Sequence, residues 1–225
     1  IAQIDGSTAV LYTQRDAISG GSVNLGSGTD TLVLGDFTNT ATVSGVETLT
    51  GGASDDLITL GAALTNGTIN LGGGTGDSLT LGAFNNTVTL SNIETITGGS
   101  SNDVVTLATQ VTGGTINLGA GSGDSLTLGA FQNIVTLSNI ETITGGSTDD
   151  VVTLGTQASG MTVNLAGGSD TLQLGAFVNT LTVTNVETLI GNSTNDLVTL
   201  GSAYTSGTID LAGGTDTLTL GAFVN

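Results

Sequence analysis

The groups in this chain able to do acid–base or metal chemistry are its carboxylates. Asp and Glu number 19 against a single cation, Arg15, and there is no His and no Cys. Imidazole bases, thiol nucleophiles, disulfides and the common zinc sites are therefore excluded. A formal charge of −18 sets aside nucleic acid and anionic membrane surfaces as partners, because both are held by clustered Lys and Arg. The lysine of a phosphate-binding loop is missing. No apolar run nears the ~20 residues of a membrane-spanning helix, so membrane insertion is not expected.

The acids are spaced by rule. Glu47, Glu94, Glu141 and Glu187 are the only glutamates and recur at steps of 47, 47 and 46 residues. Asp30, Asp56, Asp77, Asp103, Asp124, Asp150, Asp170, Asp196 and Asp216 form one series, with steps alternating between 26 and 20 or 21. The five phenylalanines, Phe37, Phe84, Phe131, Phe177 and Phe223, keep the same beat. The one-residue variation lies in a loop, LGGGTGD (71–77) and LGAGSGD (118–124) against LAGGSD (165–170) and LAGGTD (211–216).

Self-similarity at such a period is the signature of a solenoid or array. The local period is two: LTL, TVTL, VVTL and TINL alternate apolar residues with Thr, and β-branched residues dominate. Gly, Asn, Ser and Asp fill the turns between these short runs. The expectation is an all-β, parallel β-solenoid of about nine to ten coils, paired into 46–47-residue repeats. At ~4.8 Å per coil, nine coils would extend roughly 45 Å. Breaks in the alternation at Leu81 to Phe84 and Ile93 to Ile96 predict corners, and three faces for the longer coil. The predicted organisation is an atypical first coil or junction over 1–22, then repeats at 23–68, 69–115, 116–162, 163–208 and a partial 209–225, in one continuous domain.

In Asp77-x-Leu79-x-Leu81 the aspartate shares the strand parity of the core leucines. Such a carboxylate sits at the rim of the core, one coil spacing from its neighbour. Two like charges ~5 Å apart cost on the order of 3 kcal/mol at an effective dielectric near 20. A divalent cation between successive turns would neutralise them, so the nine aspartates of the series are candidate metal ligands. The alternative is that each Asp closes its own turn by accepting a backbone N–H.

Several turns, Gly51-Gly52-Ala53-Ser54-Asp55-Asp56, Gly98-Gly99-Ser100-Ser101-Asn102-Asp103 and Gly145-Gly146-Ser147-Thr148-Asp149-Asp150, resemble the calcium-binding repeat of RTX proteins. Gly191-Asn192-Ser193-Thr194-Asn195-Asp196 has lost the second glycine. The resemblance implies calcium between coils and a secreted bacterial surface protein. RTX coils are shorter and carry the motif on both edges, which makes this chain closer to large divergent repeat proteins than to a toxin's calcium roll.

The remaining ladders have structural readings. The phenylalanines are predicted to fill corners of the core, and the glutamates to be solvated or to assist calcium. Four copies of an acid pair along a stack do not make one cleft, so glycosidase chemistry is rejected and no enzyme activity is expected. Asn24, Asn70, Asn117 and Asn164, continued by Asp210, are predicted to stack as an amide ladder. The T-x-T pairs suggest an ice-binding face, but a pair seen only every other coil would be too sparse. N-x-[ST] at Asn66, Asn85 and Asn192 marks candidate glycan sites.

The chain stops at Gly221-Ala222-Phe223-Val224-Asn225, in mid-coil, and Ile1 falls near the phase of Glu47. Two readings fit: a fragment of a longer array, or subunits stacking head to tail. The expected function is structural: a repeat rod of a bacterial surface filament, surface layer or adhesin, extracellular, calcium-stabilised and self-associating. The alternatives are a calcium-binding carrier region of a secreted enzyme or toxin, and an ice-binding solenoid.

Overall fold

The computed structural model describes residues 2–6, as backbone, and 9–224. Ile1 and Asn225, on which the head-to-tail expectation rests, lie outside the described residues. The expected parallel β-solenoid is the fold observed: strands alternate along the chain between two sheets, every described pairing is parallel, and the described residues include no helix. There are two sheets rather than the three faces expected. The corners at Leu81–Phe84 and Ile93–Ile96 are turns between these two sheets, so no third strand is needed to close a coil.

The chain forms two compact units, Ile1–Thr109 with Leu118–Gly121, and Gln110–Asn117 with Ser122–Asn225. In the first, one sheet contains Ser19–Gly26, Thr40–Ser44, Leu57–Leu60, Ser78–Thr80 and Thr95–Gly99 as successive neighbours. The other contains Thr31–Val33, Thr48–Thr50, Thr65–Asn70, Thr87–Ser91 and Val104–Leu107. The second unit repeats the scheme, for example with Ile134–Ser138, Val151–Leu154, Thr171–Gln173 and Thr188–Asn192 in one sheet.

Register explains the alternating steps. Val43 faces Leu60 across one coil, and Ile58 faces Leu79 across the next, longer one. The step from Asp56 to Asp77 is thus one coil on one edge. The 26-residue step from Asp30 to Asp56 crosses three strands, a coil and a half, and lands on the other edge. One 46–47-residue repeat therefore contributes five strands, an odd number. Asp30 leads into Thr31–Val33 of one sheet, and its repeat partner Asp77 leads into Ser78–Thr80 of the other.

The core is the inward half of each alternation. Leu32, Leu49, Ile69, Leu90 and Leu107 stand in register in five consecutive coils, each at most 3% exposed. Each such aliphatic contributes about 1.5–3 kcal/mol by leaving water. The phenylalanines do not fill the corners as expected: Phe37, Phe131, Phe177 and Phe223 are 37–45% exposed. Their rings lie on the outside of the turn, against Gly35, Gly175 and Gly221 in three of the four. The buried corner place two residues after Phe37, Phe84, Phe131 and Phe177 belongs to an asparagine: Asn39, Asn86, Asn133 and Asn179 are at most 1% exposed.

Candidate functional site

A parallel ladder leaves one problem at each corner. The carbonyl of the residue just ahead of a strand is used by the next coil, as in Leu57 N to Asn39 O at 2.7 Å and Ser78 N to Asp56 O at 2.8 Å. At the glutamates its N–H reaches a backbone carbonyl, as in Glu47 N to Asp30 O at 3.0 Å, but at the aspartate and asparagine positions it does not, and a buried unpaired N–H costs about 1–3 kcal/mol. The side chain of the next coil closes that gap.

On one edge of the first unit, Ile18, Asn39, Asp56, Asp77 and Glu94 occupy this position in consecutive coils. Ile18 N donates to Asn39 Oδ1 at 3.0 Å, Asn39 N to Asp56 Oδ1 at 2.9 Å, Asp56 N to Asp77 Oδ1 at 2.7 Å, and Asp77 N to Glu94 Oε2 at 2.9 Å. The opposite edge carries Val10 N to Asp30 Oδ1, Asp30 N to Glu47 Oε2, Leu64 N to Asn86 Oδ1 and Asn86 N to Asp103 Oδ1, at 2.7–3.0 Å. In the second unit the order returns as Val111, Asn133, Asp150, Asp170 and Glu187, again at 2.7–3.0 Å. Its other edge has Asp124 N on Glu141 Oε2, then Ala158, Asn179, Asp196 and Asp216. The rule is apolar, Asn, Asp, Asp, Glu: five rungs, one per coil.

The nine aspartates of the series are thus all rungs, and eight of them, all but Asp216, are at most 2% exposed. The turn-cap reading holds and extends: Asp56 accepts Gly52 N of its own turn, and eight of the nine also cap an N–H of the coil before, 17 to 21 residues away. The glutamates are half-buried rungs as well; their length lets Oε2 reach the Asp N–H. The asparagine rungs were missed by the sequence reading. Their signal was the F-x-N of Phe37-Thr38-Asn39, Phe84-Asn85-Asn86, Phe131-Gln132-Asn133 and Phe177-Val178-Asn179.

The two aspartate rungs differ. The first (Asp56, Asp103, Asp150, Asp196) also faces a donor from its own turn. Gly52 N approaches Asp56 Oδ2 at 3.4 Å; Gly99 and Gly146 hold the matching places at Asp103 and Asp150 and offset part of the effect of burial there, but Asp150 Oδ2 has no donor within hydrogen-bond distance. Where Asn192 replaces that glycine, its side-chain amide donates to Asp196 Oδ2 at 3.1 Å instead. The glycine pairs themselves are steric. A Cβ on Gly98 would lie 2.0 Å from Leu118 O, and one on Gly99 2.0 Å from Gly82 O. In the second rung, Asp30, Asp77 and Asp170 each bury an Oδ2 that meets no N–H.

Burial raises the carboxyl pKa of Asp103 and Asp150. It pushes Asp77 up to about 6, with Glu94, Asp56 and Asp55 adding repulsion. Asp170 is likewise pushed up to about 6 by burial, with Asp150, Glu187 and Asp149 adding to it.

Calcium takes six to eight oxygens. Asp30, Asp77, Asp150 and Asp170 each offer one free carboxylate oxygen, while the carbonyls of Asp30, Asp56 and Asp77 already accept Thr48, Ser78 and Thr95 N. Among the described residues no three or more Asp and Glu converge to hold an ion. These protein oxygens alone fall short of the six to eight that calcium takes.

The amide ladder takes another form. Asn70, Asn117 and Asn164 do not stack on one another; each accepts the side-chain amide of Asn92, Asn139 or Asn185 in the next coil, at 2.8–2.9 Å. Threonine is denser than expected, because equivalent strands alternate between sheets. Thr31, Thr48, Thr68, Thr89 and Thr106 face outward in five consecutive coils, as do Thr142, Thr162, Thr182, Thr199 and Thr219 in the second unit. No family model, no curated protein and no solved structure matches this chain.

Proposed function

We propose that the chain is a structural, non-enzymatic repeat segment of an extracellular bacterial surface assembly: a filament, surface layer or adhesin. The observation that carries this reading is the use of the acids. Eight of the nine aspartates and the four glutamates of the ladders are spent on the N–H of a neighbouring coil, so these groups able to do chemistry are committed to stacking. A scaffold needs that, and an active site needs the reverse. The motif resemblance to RTX surface proteins and the strongly acidic composition support the location. Stretching single molecules between the termini tests the role. The reading expects resistance to force, with length released in whole multiples of one coil. One release of the whole chain at low force would contradict it.

A second reading, ice binding, gains from one observation. The threonine columns run through consecutive coils, which removes the objection of sparseness. Thermal hysteresis of the purified chain, abolished by Thr68→Tyr and Thr89→Tyr, would establish it; none at millimolar protein would dismiss it.

A further inference from the structure

Asp77 and Asp170 hold the same rung in their two units and share an unusual setting. Asp77 has Asp56 in the coil before it, Glu94 in the coil after it and Asp55 beside it. Asp170 has Asp150, Glu187 and Asp149 in the matching places. Among the described residues no cation faces either group. Oδ1 accepts a single backbone N–H, from Asp56 at 2.7 Å and from Asp150 at 2.7 Å. Oδ2 is buried without a donor, in residues at most 1% exposed. A buried carboxylate with one hydrogen bond and three acidic neighbours lacks the features that stabilise its charge.

The same ladder contains its own control. Asn39, Asn86, Asn133 and Asn179 are neutral rungs of nearly identical shape, and each accepts the preceding N–H through Oδ1. A carboxylic acid protonated on Oδ2 shares with these rungs its neutrality and an Oδ1 free to accept.

We propose that Asp77 and Asp170 are proton-binding rungs that make coil stacking pH-dependent, firmest when both carry the proton on Oδ2. The inference needs neither a metal nor the surface-scaffold reading. Its sign follows from linkage. The folded state holds these protons to about pH 6, the unfolded state only to the ordinary 3.8. The stabilisation is therefore complete below pH ~4 and lost as pH rises through about 6.

The test is the number of protons released on unfolding near pH 5, from the slope of urea-unfolding free energy against pH, in EDTA. The Asp77→Asn, Asp170→Asn double variant should release about two fewer protons than the parent. A charge-matched pair at exposed acids, Asp16→Asn with Asp36→Asn, should leave the number unchanged. Equal proton release from the parent and the rung variant would overturn the proposal, as would an equal loss in both variants. If the rung variant does not fold, carboxyl 13C titration of the parent decides: two aspartates with midpoints near 6 support the proposal, and midpoints at or below 4 for Asp77 and Asp170 overturn it.

Discussion

Asn39 places two donors on one oxygen of Asp56: its backbone N–H at 2.9 Å and its side-chain amide at 2.8 Å, both to Oδ1. The same amide also donates to Phe37 O at 2.7 Å, so Asn39 ties its own turn to the next coil. Asp103, Asp150 and Asp196 receive the identical pair from Asn86, Asn133 and Asn179. An asparagine rung thus shields one side of the acidic run, and the acids accumulate only on the other.

Removing the acceptor should expose this dependence. Asp56→Ala leaves two buried donors of Asn39 without a partner and should cost about 2 kcal/mol or more. Asp56→Asn keeps an acceptor at Oδ1 and should cost less than half as much. Urea unfolding of the two variants checks the order.

The glycine pairs respond to crowding between coils. Gly99→Ala would put a methyl group 2.0 Å from Gly82 O, and should cost about 3 kcal/mol or more. Gly113 has a φ of +74° but nothing within 4 Å, so Gly113→Ala should carry only about 1–2 kcal/mol of left-handed strain. Thermal unfolding in EDTA gives both values free of any metal contribution.

In the core, Leu49 stands between Leu32 and Ile69 and is 2% exposed. Leu49→Ala should cost about 2–5 kcal/mol. Its neighbour Thr48 points outward, and Thr48→Ala should stay within about 0.5 kcal/mol. A denaturant series separates the two faces of one strand.

Asp103 and Asp150 are raised by burial and so contribute in the same direction as Asp77 and Asp170. The melting temperature should be higher at pH 4.5 than at pH 7.5. A midpoint that rises with pH would show that ionised, well-paired carboxylates dominate instead.

Much of the fold is legible in the sequence. Alternation in TVTL and VVTL, with Gly-rich turns, required parallel strands, and the even spacing of Glu and Phe required a stack. What misled was the assumption that one repeat step is a whole number of coils. The 26-residue step from Asp30 to Asp56 spans a coil and a half, a fact set by turn geometry that residue types do not encode. That error hid the threonine columns and made the aspartates look like one series instead of two edges. Phe37 is predicted to fill its corner, yet its ring lies outside against Gly35 and the buried place goes to Asn39, whose amide satisfies the carbonyl of Phe37. The Gly-Gly pair resembled a metal motif, yet close approach of backbones selects the same residues.

The most direct test is a circular-dichroism melt of the purified chain in EDTA and in millimolar calcium. If the inter-coil caps hold the stack, the β-signal is present in EDTA and the midpoint is unchanged by calcium. If the β-signal forms only when calcium is added, the aspartates are metal ligands first and caps second, and inter-coil capping is not what holds this solenoid together.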